Sequence, residues 1–118
     1  MEINPKAVKY AREQEFKSDV LIIDMSLQKY LTIGPVYDVI FTQSVLMHIP
    51  PSDEMVFGLM AKKARQIILT HEVESTGGFE AELRWGRNYR EVFGLLGFWQ
   101  VSKVDYRHQI LRVMKRME

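Results

Sequence analysis

His48 lies in the otherwise apolar stretch Val45-Leu46-Met47-His48-Ile49-Pro50-Pro51. A titratable imidazole there can act as a general base toward a hydroxyl or amine; at the start of a helix the same ring can instead be satisfied by a backbone carbonyl. His71 and Glu72 close an apolar run and can orient or deprotonate an acceptor, although strand alternation lets only one of them face it. Arg84, Trp85, Arg87, Tyr89 and Arg90 gather cations and aromatic rings that suit an anionic sugar or acid. Trp85 and Tyr89 equally suit packing of a helix on a sheet, and Tyr89 shares a helical stripe with Val92, Phe93 and Leu96. His48, His71 and His108 are too scattered for a metal site, and no Cys is present to supply a thiolate. No H-E-x-x-H, G-x-S-x-G or phosphate-loop pattern occurs, so metalloprotease, serine hydrolase and nucleotide hydrolase readings fall away.

The elements that must position these residues follow from periodicity. Asn4-Pro5 predicts a helix start and a helix over about Pro5 to Glu15, with Ala7, Val8 and Ala11 on its apolar face. Asp19–Asp24 and Tyr37–Thr42 each carry a continuous apolar run and predict parallel strands buried on both faces, with a third strand at Gln66–Thr70. A polar connection closed by Gly34-Pro35 separates the first two. Between the second and third, Ser52 predicts a helix cap, Met55, Val56, Leu59 and Met60 a buried face, and Lys62, Lys63 and Arg65 the helix end. Val73–Arg84 has no period and predicts a long loop or lid. A last helix over about Arg87 to Leu96 stops at Gly97, and Phe98–Val104 and His108–Met114 predict an antiparallel hairpin turning at Asp105-Tyr106-Arg107.

Tyr37 to Pro51, with an aromatic, Asp38, an apolar run, the polar pair Gln43-Ser44 and then Met47-His48-Ile49-Pro50, resembles the fourth-strand motif of class I S-adenosylmethionine-dependent methyltransferases. Glu2 to Ala7 resembles the end of that family's second strand, Asp24-Met25 the end of its third, and Arg87 to Phe98 the helix before its final hairpin. The resemblance implies an α/β, Rossmann-like fold with a mostly parallel sheet and a C-terminal antiparallel hairpin, and S-adenosylmethionine as cofactor. It implies cofactor contacts at Glu2 and Asn4, where an acid binds ribose hydroxyls, at Asp24 and Met25 beside the adenine, and at Gln43. It places Arg84, Trp85 and Arg87 around a small-molecule acceptor, with His48, His71 and Glu72 at the reacting group. On residues alone, Glu2 equally fits a frayed terminus and Asp24 a turn cap.

The glycine-rich loop that follows the family's first strand is not found: Gly34, Gly58, Gly77, Gly78, Gly86, Gly94 and Gly97 form no G-x-G-x-G run after an apolar strand. The expectation is a single N-terminally truncated methyltransferase-like domain over residues 1–118. The strand at Asp19–Asp24 then closes directly on Tyr37–Thr42, or another chain fills the gap. A second reading is a non-catalytic module that pairs with a second copy as a homodimer or with a partner.

Composition fits either reading. The 118 residues are 47% hydrophobic and 26% charged with a net charge of +1, the profile of one globular domain and without the basic excess of a nucleic-acid binder. Arg112, Lys115 and Arg116 read as a solvated strand end. No apolar run approaches the ~18 residues of a membrane span, and with no Cys a cytoplasmic location is expected.

Overall fold

A computed structural model of the chain describes residues 6, 9, 10, 13, 25–74 and 85–117. The chain divides into two compact units, Met1–Gly34 and Pro35–Glu118. The predicted strand at Asp19–Asp24 and most of the predicted loop at Val73–Arg84 lie outside the described residues.

In the first unit Lys6, Lys9, Tyr10 and Glu13 are helical, as the predicted N-terminal helix requires. Helix α1, Leu27–Ile33, occupies what the sequence suggested was a polar connection. Its signals are local: the Ser26 side chain caps the Lys29 amide, and Leu27, Tyr30 and Leu31 recur at helical spacing.

The described residues of the second unit form a four-stranded sheet with short helices. Its elements are β1 (Tyr37–Gln43), α2 (Met55–Lys63), β2 (Ala64–Glu72), α3 (Tyr89–Gly94), β3 (Phe98–Tyr106) and β4 (Gln109–Arg116), and the strand order is β1-β2-β4-β3. β1 and β2 run parallel across α2, whereas β4 is antiparallel to both β2 and β3. The expected parallel crossover followed by a hairpin is therefore present. The hairpin turns at Arg107-His108, two residues later than predicted, with Arg107 at φ 56. Gly97 ends the α3 region at φ 93, a left-handed conformation that glycine adopts at little cost. α2 begins later than Ser52, because Pro51–Asp53 first forms a separate 3-10 turn and Glu54 becomes the flanking residue.

One face of the sheet carries the core. Ile68, Thr70 and Glu72 of β2 and Arg112 and Met114 of β4 are buried there under Val56, Phe57, Met60 and Ala61 of α2 and Tyr89 and Phe93 of α3. Phe57, Tyr89, Phe93 and Phe98 form a chain of ring contacts with centroids 6.0–6.4 Å apart, tying both helices to β3. A fully buried ring of this size contributes about 1.5–3 kcal/mol through area alone.

The other face differs from expectation. Val39 and Phe41, predicted to be buried, are 48% and 56% exposed, and Trp99, Val104 and Tyr106 continue the same exposed apolar face across β3. Among the described residues β1 pairs on one side only, with β2. Arg112 is the converse case: it shares the buried parity of Met114 and is enclosed, so the C-terminal basic run is not a solvated strand end. Lys115, one residue out of phase, is exposed. Arg116 stacks on Phe98 at 4.7 Å and donates to the carbonyls of Ala61 and Ala64, closing the end of α2.

Candidate functional site

β1 and β2 end side by side with Gln43 paired to His71, and the chain leaving β1 forms the site loop, residues 43–50. Ser44 takes a left-handed conformation at φ 55, uncommon for a residue with a side chain. It is held there on both sides: its amide donates to the His71 carbonyl at 3.0 Å, and Gln109 Nε2 donates to its hydroxyl at 2.6 Å. Leu46–His48 then closes a 3-10 turn with Leu46 and Met47 buried and His48 exposed.

Two charged side chains from distant positions grip this turn from opposite ends of its peptide groups. Glu72, at the end of β2 and fully buried, accepts the amides of Val45 at 3.2 Å, Leu46 at 2.9 Å and Met47 at 3.3 Å. Burial pushes its carboxyl pKa above the ordinary value, opposed by the Val45 amide, the Thr42 hydroxyl and the Met47 and Leu46 amides. Arg87 donates to the carbonyls of Leu46 at 3.3 Å and Ile49 at 2.7 Å, pairs with Glu54 at 3.4 Å and lies over the Phe57 ring at 4.9 Å. The Trp85 amide adds a bond to the Met47 carbonyl at 2.8 Å. Tyr89 packs behind the turn, its phenol pKa raised by burial and by the Glu72 charge.

A second buried polar group holds the chain just past β2. Arg112 makes a two-pronged bond to Glu74 at 2.7 and 2.9 Å and donates to Gln100 at 2.6 Å, with both charged side chains enclosed.

The residues proposed for chemistry are thus distributed as follows. His48 stands exposed on a fixed turn, Gln43 is exposed at the carboxyl end of β1, and His71 is half-buried on the opposite sheet face from Glu72. Glu72 and Arg87 are engaged with the turn's backbone. Met25 belongs to the first unit, and Glu2, Asn4, Asp24 and Arg84 lie outside the described residues. Sequence reasoning missed the turn's amides and carbonyls as partners, because backbone groups carry no residue signature. It also missed the Arg112–Glu74 pair, whose members are 38 positions apart; the alternation of β4 with Met114 was the signal available. Among the described residues no group of three or more His, Asp or Glu is placed to hold a metal ion, and no helix is long and apolar enough to cross a membrane.

No protein-family model and no curated protein matches the chain. Solved structures do. Magnesium protoporphyrin IX methyltransferase from Synechocystis with bound S-adenosylmethionine superposes with a TM-score of 0.61 at 14% identity, over 80% of this chain and 45% of that one. The same enzyme with bound S-adenosylhomocysteine gives 0.61 at 16% identity, over 79% and 49%. An O-methyltransferase family 2 protein from Planctomyces limnophilus in complex with apigenin gives 0.56 at 18%, over 74% and 33%. The chain shares an α/β, Rossmann-like fold with these proteins over the part that superposes, and spans less than half of their length.

Proposed function

We propose that the chain supplies the acceptor side of an S-adenosylmethionine-dependent methyl transfer to a small molecule, within a methyltransferase-like domain. The observation that supports this most is the site loop: on a methyltransferase fold, an exposed imidazole sits on a strained turn beyond a parallel strand and is braced from beneath by Glu72 and Arg87. Open sheets place ligands beyond the carboxyl ends of their strands, where this loop lies. Strain held in place by a surrounding network is a feature of sites that must keep a fixed geometry.

The described residues fit such a cofactor at Gln43, whose exposed amide both donates and accepts and suits a polar nucleoside or amino-acid group. Glu2, Asn4, Asp24 and Met25 are the further contacts implied by the resemblance. When bound, S-adenosylmethionine supplies an electrophilic methyl group. His48 accepts the proton of an acceptor hydroxyl or amine, Arg87 and Glu72 position the turn that carries it, and Arg84, Trp85 and the half-buried His71 line the acceptor. A cytoplasmic setting suits a domain without cysteines.

Calorimetric titration with S-adenosylhomocysteine tests this. Micromolar binding, about −8 kcal/mol, supports the reading. Absence of binding would favour a second reading, a partner-binding or self-pairing module, to which the exposed apolar face of Val39, Phe41, Trp99, Val104 and Tyr106 points.

A further inference from the structure

Among the described residues, Ser44 and Arg107 are the non-glycine positions with a positive φ, at 55 and 56. Arg107 is explained where it stands. It is the first residue of the two-residue turn between Tyr106 and Gln109, and the favoured hairpin turns of that length put a positive φ there. Ser44 lies in no hairpin: it follows the parallel strand β1, and in the left-handed region its Cβ crowds the following carbonyl. Other bonds must offset that cost.

Two bonds meet on Ser44. Its amide donates to the His71 carbonyl of β2 at 3.0 Å, and Gln109 Nε2, from the first residue of β4, donates to its hydroxyl at 2.6 Å. With the amide anchored, a change of φ is a rotation about the N–Cα bond that moves Cβ and the onward chain together. The grip on the hydroxyl resists that rotation. What φ at Ser44 decides is the direction of the next peptide group, whose Val45 amide meets Glu72 Oε2 at 3.2 Å, ahead of the Leu46 and Met47 amides on Oε1. An ordinary negative φ would swing the Val45 amide off the carboxylate and carry with it the 3-10 turn that ends at His48.

We infer that Gln109 is a positioning residue for the site loop: through the Ser44 hydroxyl, the start of β4 holds the backbone angle that sets where His48 stands. The inference rests on the proposed function in taking His48 as the group to be positioned. Its conformational content holds whether or not the cofactor binds.

Nuclear magnetic resonance of the isotopically labelled full chain provides the test. Gln109→Met keeps the length and removes the donor; Ser44→Ala keeps Cβ and removes the acceptor, and serves if Gln109→Met does not fold. Each should move the three-bond amide–Hα coupling of residue 44 and the His48 ring resonance. Each should also speed exchange of the Val45, Leu46 and Met47 amides by about tenfold or more, while amides central to β3 and β4 keep their protection. The two changes together should be no worse than either alone, because they break one bond. The decisive variant combines Ser44→Gly with Gln109→Met. Glycine takes a positive φ unaided, so the His48 resonance and the slow exchange should return toward those of the unaltered chain. A contact that only added stability would instead be worsened by the extra freedom of glycine. Unchanged coupling and exchange in folded Gln109→Met, additive effects of the two single changes, or no recovery with Ser44→Gly each overturns the inference. Titration of the unaltered chain with S-adenosylhomocysteine keeps the two readings apart: failure to bind counts against methyl transfer, while the behaviour of residue 44 decides the role of Gln109.

Discussion

The Glu72 carboxylate accepts the Leu46 amide at 2.9 Å, so the last residue of β2 fixes the first turn beyond the neighbouring strand β1. The same carboxylate accepts the amides on either side of Leu46, leaving that turn no freedom to reorient without stranding buried donors.

Glu72→Gln keeps the shape but turns a donor toward the Val45 amide, so it should lower stability by about 1–3 kcal/mol. The pH dependence has a definite sign. Burial raises the folded-state pKa above the ordinary 4.5, so between the two values the folded chain binds more protons than the unfolded one. The contribution of Glu72 to stability is then complete below pH 4.5 and declines as pH rises through the folded pKa. Urea unfolding across that window should show the deficit of Glu72→Gln shrinking toward neutral pH. A deficit that widened would mean that the amides hold the charge more strongly than burial disfavours it.

Arg87→Lys keeps the charge but loses the planar fork that reaches the Leu46 and Ile49 carbonyls and stacks on Phe57. Native-state hydrogen exchange should report it locally. Amides of the Leu46–Ile49 turn are expected to exchange at least tenfold faster, equivalent to about 1.4 kcal/mol of local opening, while β3 and β4 amides keep their protection. Uniform acceleration everywhere would show that Arg87 stabilises the whole fold rather than the turn.

The enclosed Arg112–Glu74 pair should behave asymmetrically. Glu74→Gln strands a buried guanidinium and is expected to cost about 3–5 kcal/mol, whereas replacing both members together, Arg112→Met with Glu74→Leu, should recover most of the loss. Denaturation midpoints of the single and double variants decide it, and a double variant no better than the single would refute the argument.

Local rules revealed much of this fold. The β1-α2-β2 unit, the α3 stop at Gly97 and the final hairpin were legible because apolar periodicity and backbone-permissive residues act within a few positions. α1 was passed over because seven residues with one cap give a weak period. The exposure of Val39 and Phe41 was not legible, since an apolar run reports a preference for burial and not what covers it. Within the site, His48 and Gln43 were visible by type and place. The roles of Glu72 and Arg87 were hidden, because a side chain that binds peptide groups leaves its partners without any signature in the sequence.

His48 is exposed, and its substitution should separate stability from chemistry. His48→Ala leaves the Glu72 and Arg87 bonds to the turn in place, so it should lower stability by about 1 kcal/mol or less and bind S-adenosylhomocysteine as the parent does. If the imidazole takes the acceptor proton, transfer to a hydroxyl or amine should fall by about 10²–10⁴-fold. His48→Gln, which can donate and accept but not carry the proton away, should be as impaired. Retained activity in both variants would leave the turn as a positioning element and move the proton acceptor elsewhere, with the half-buried His71 the first residue to substitute.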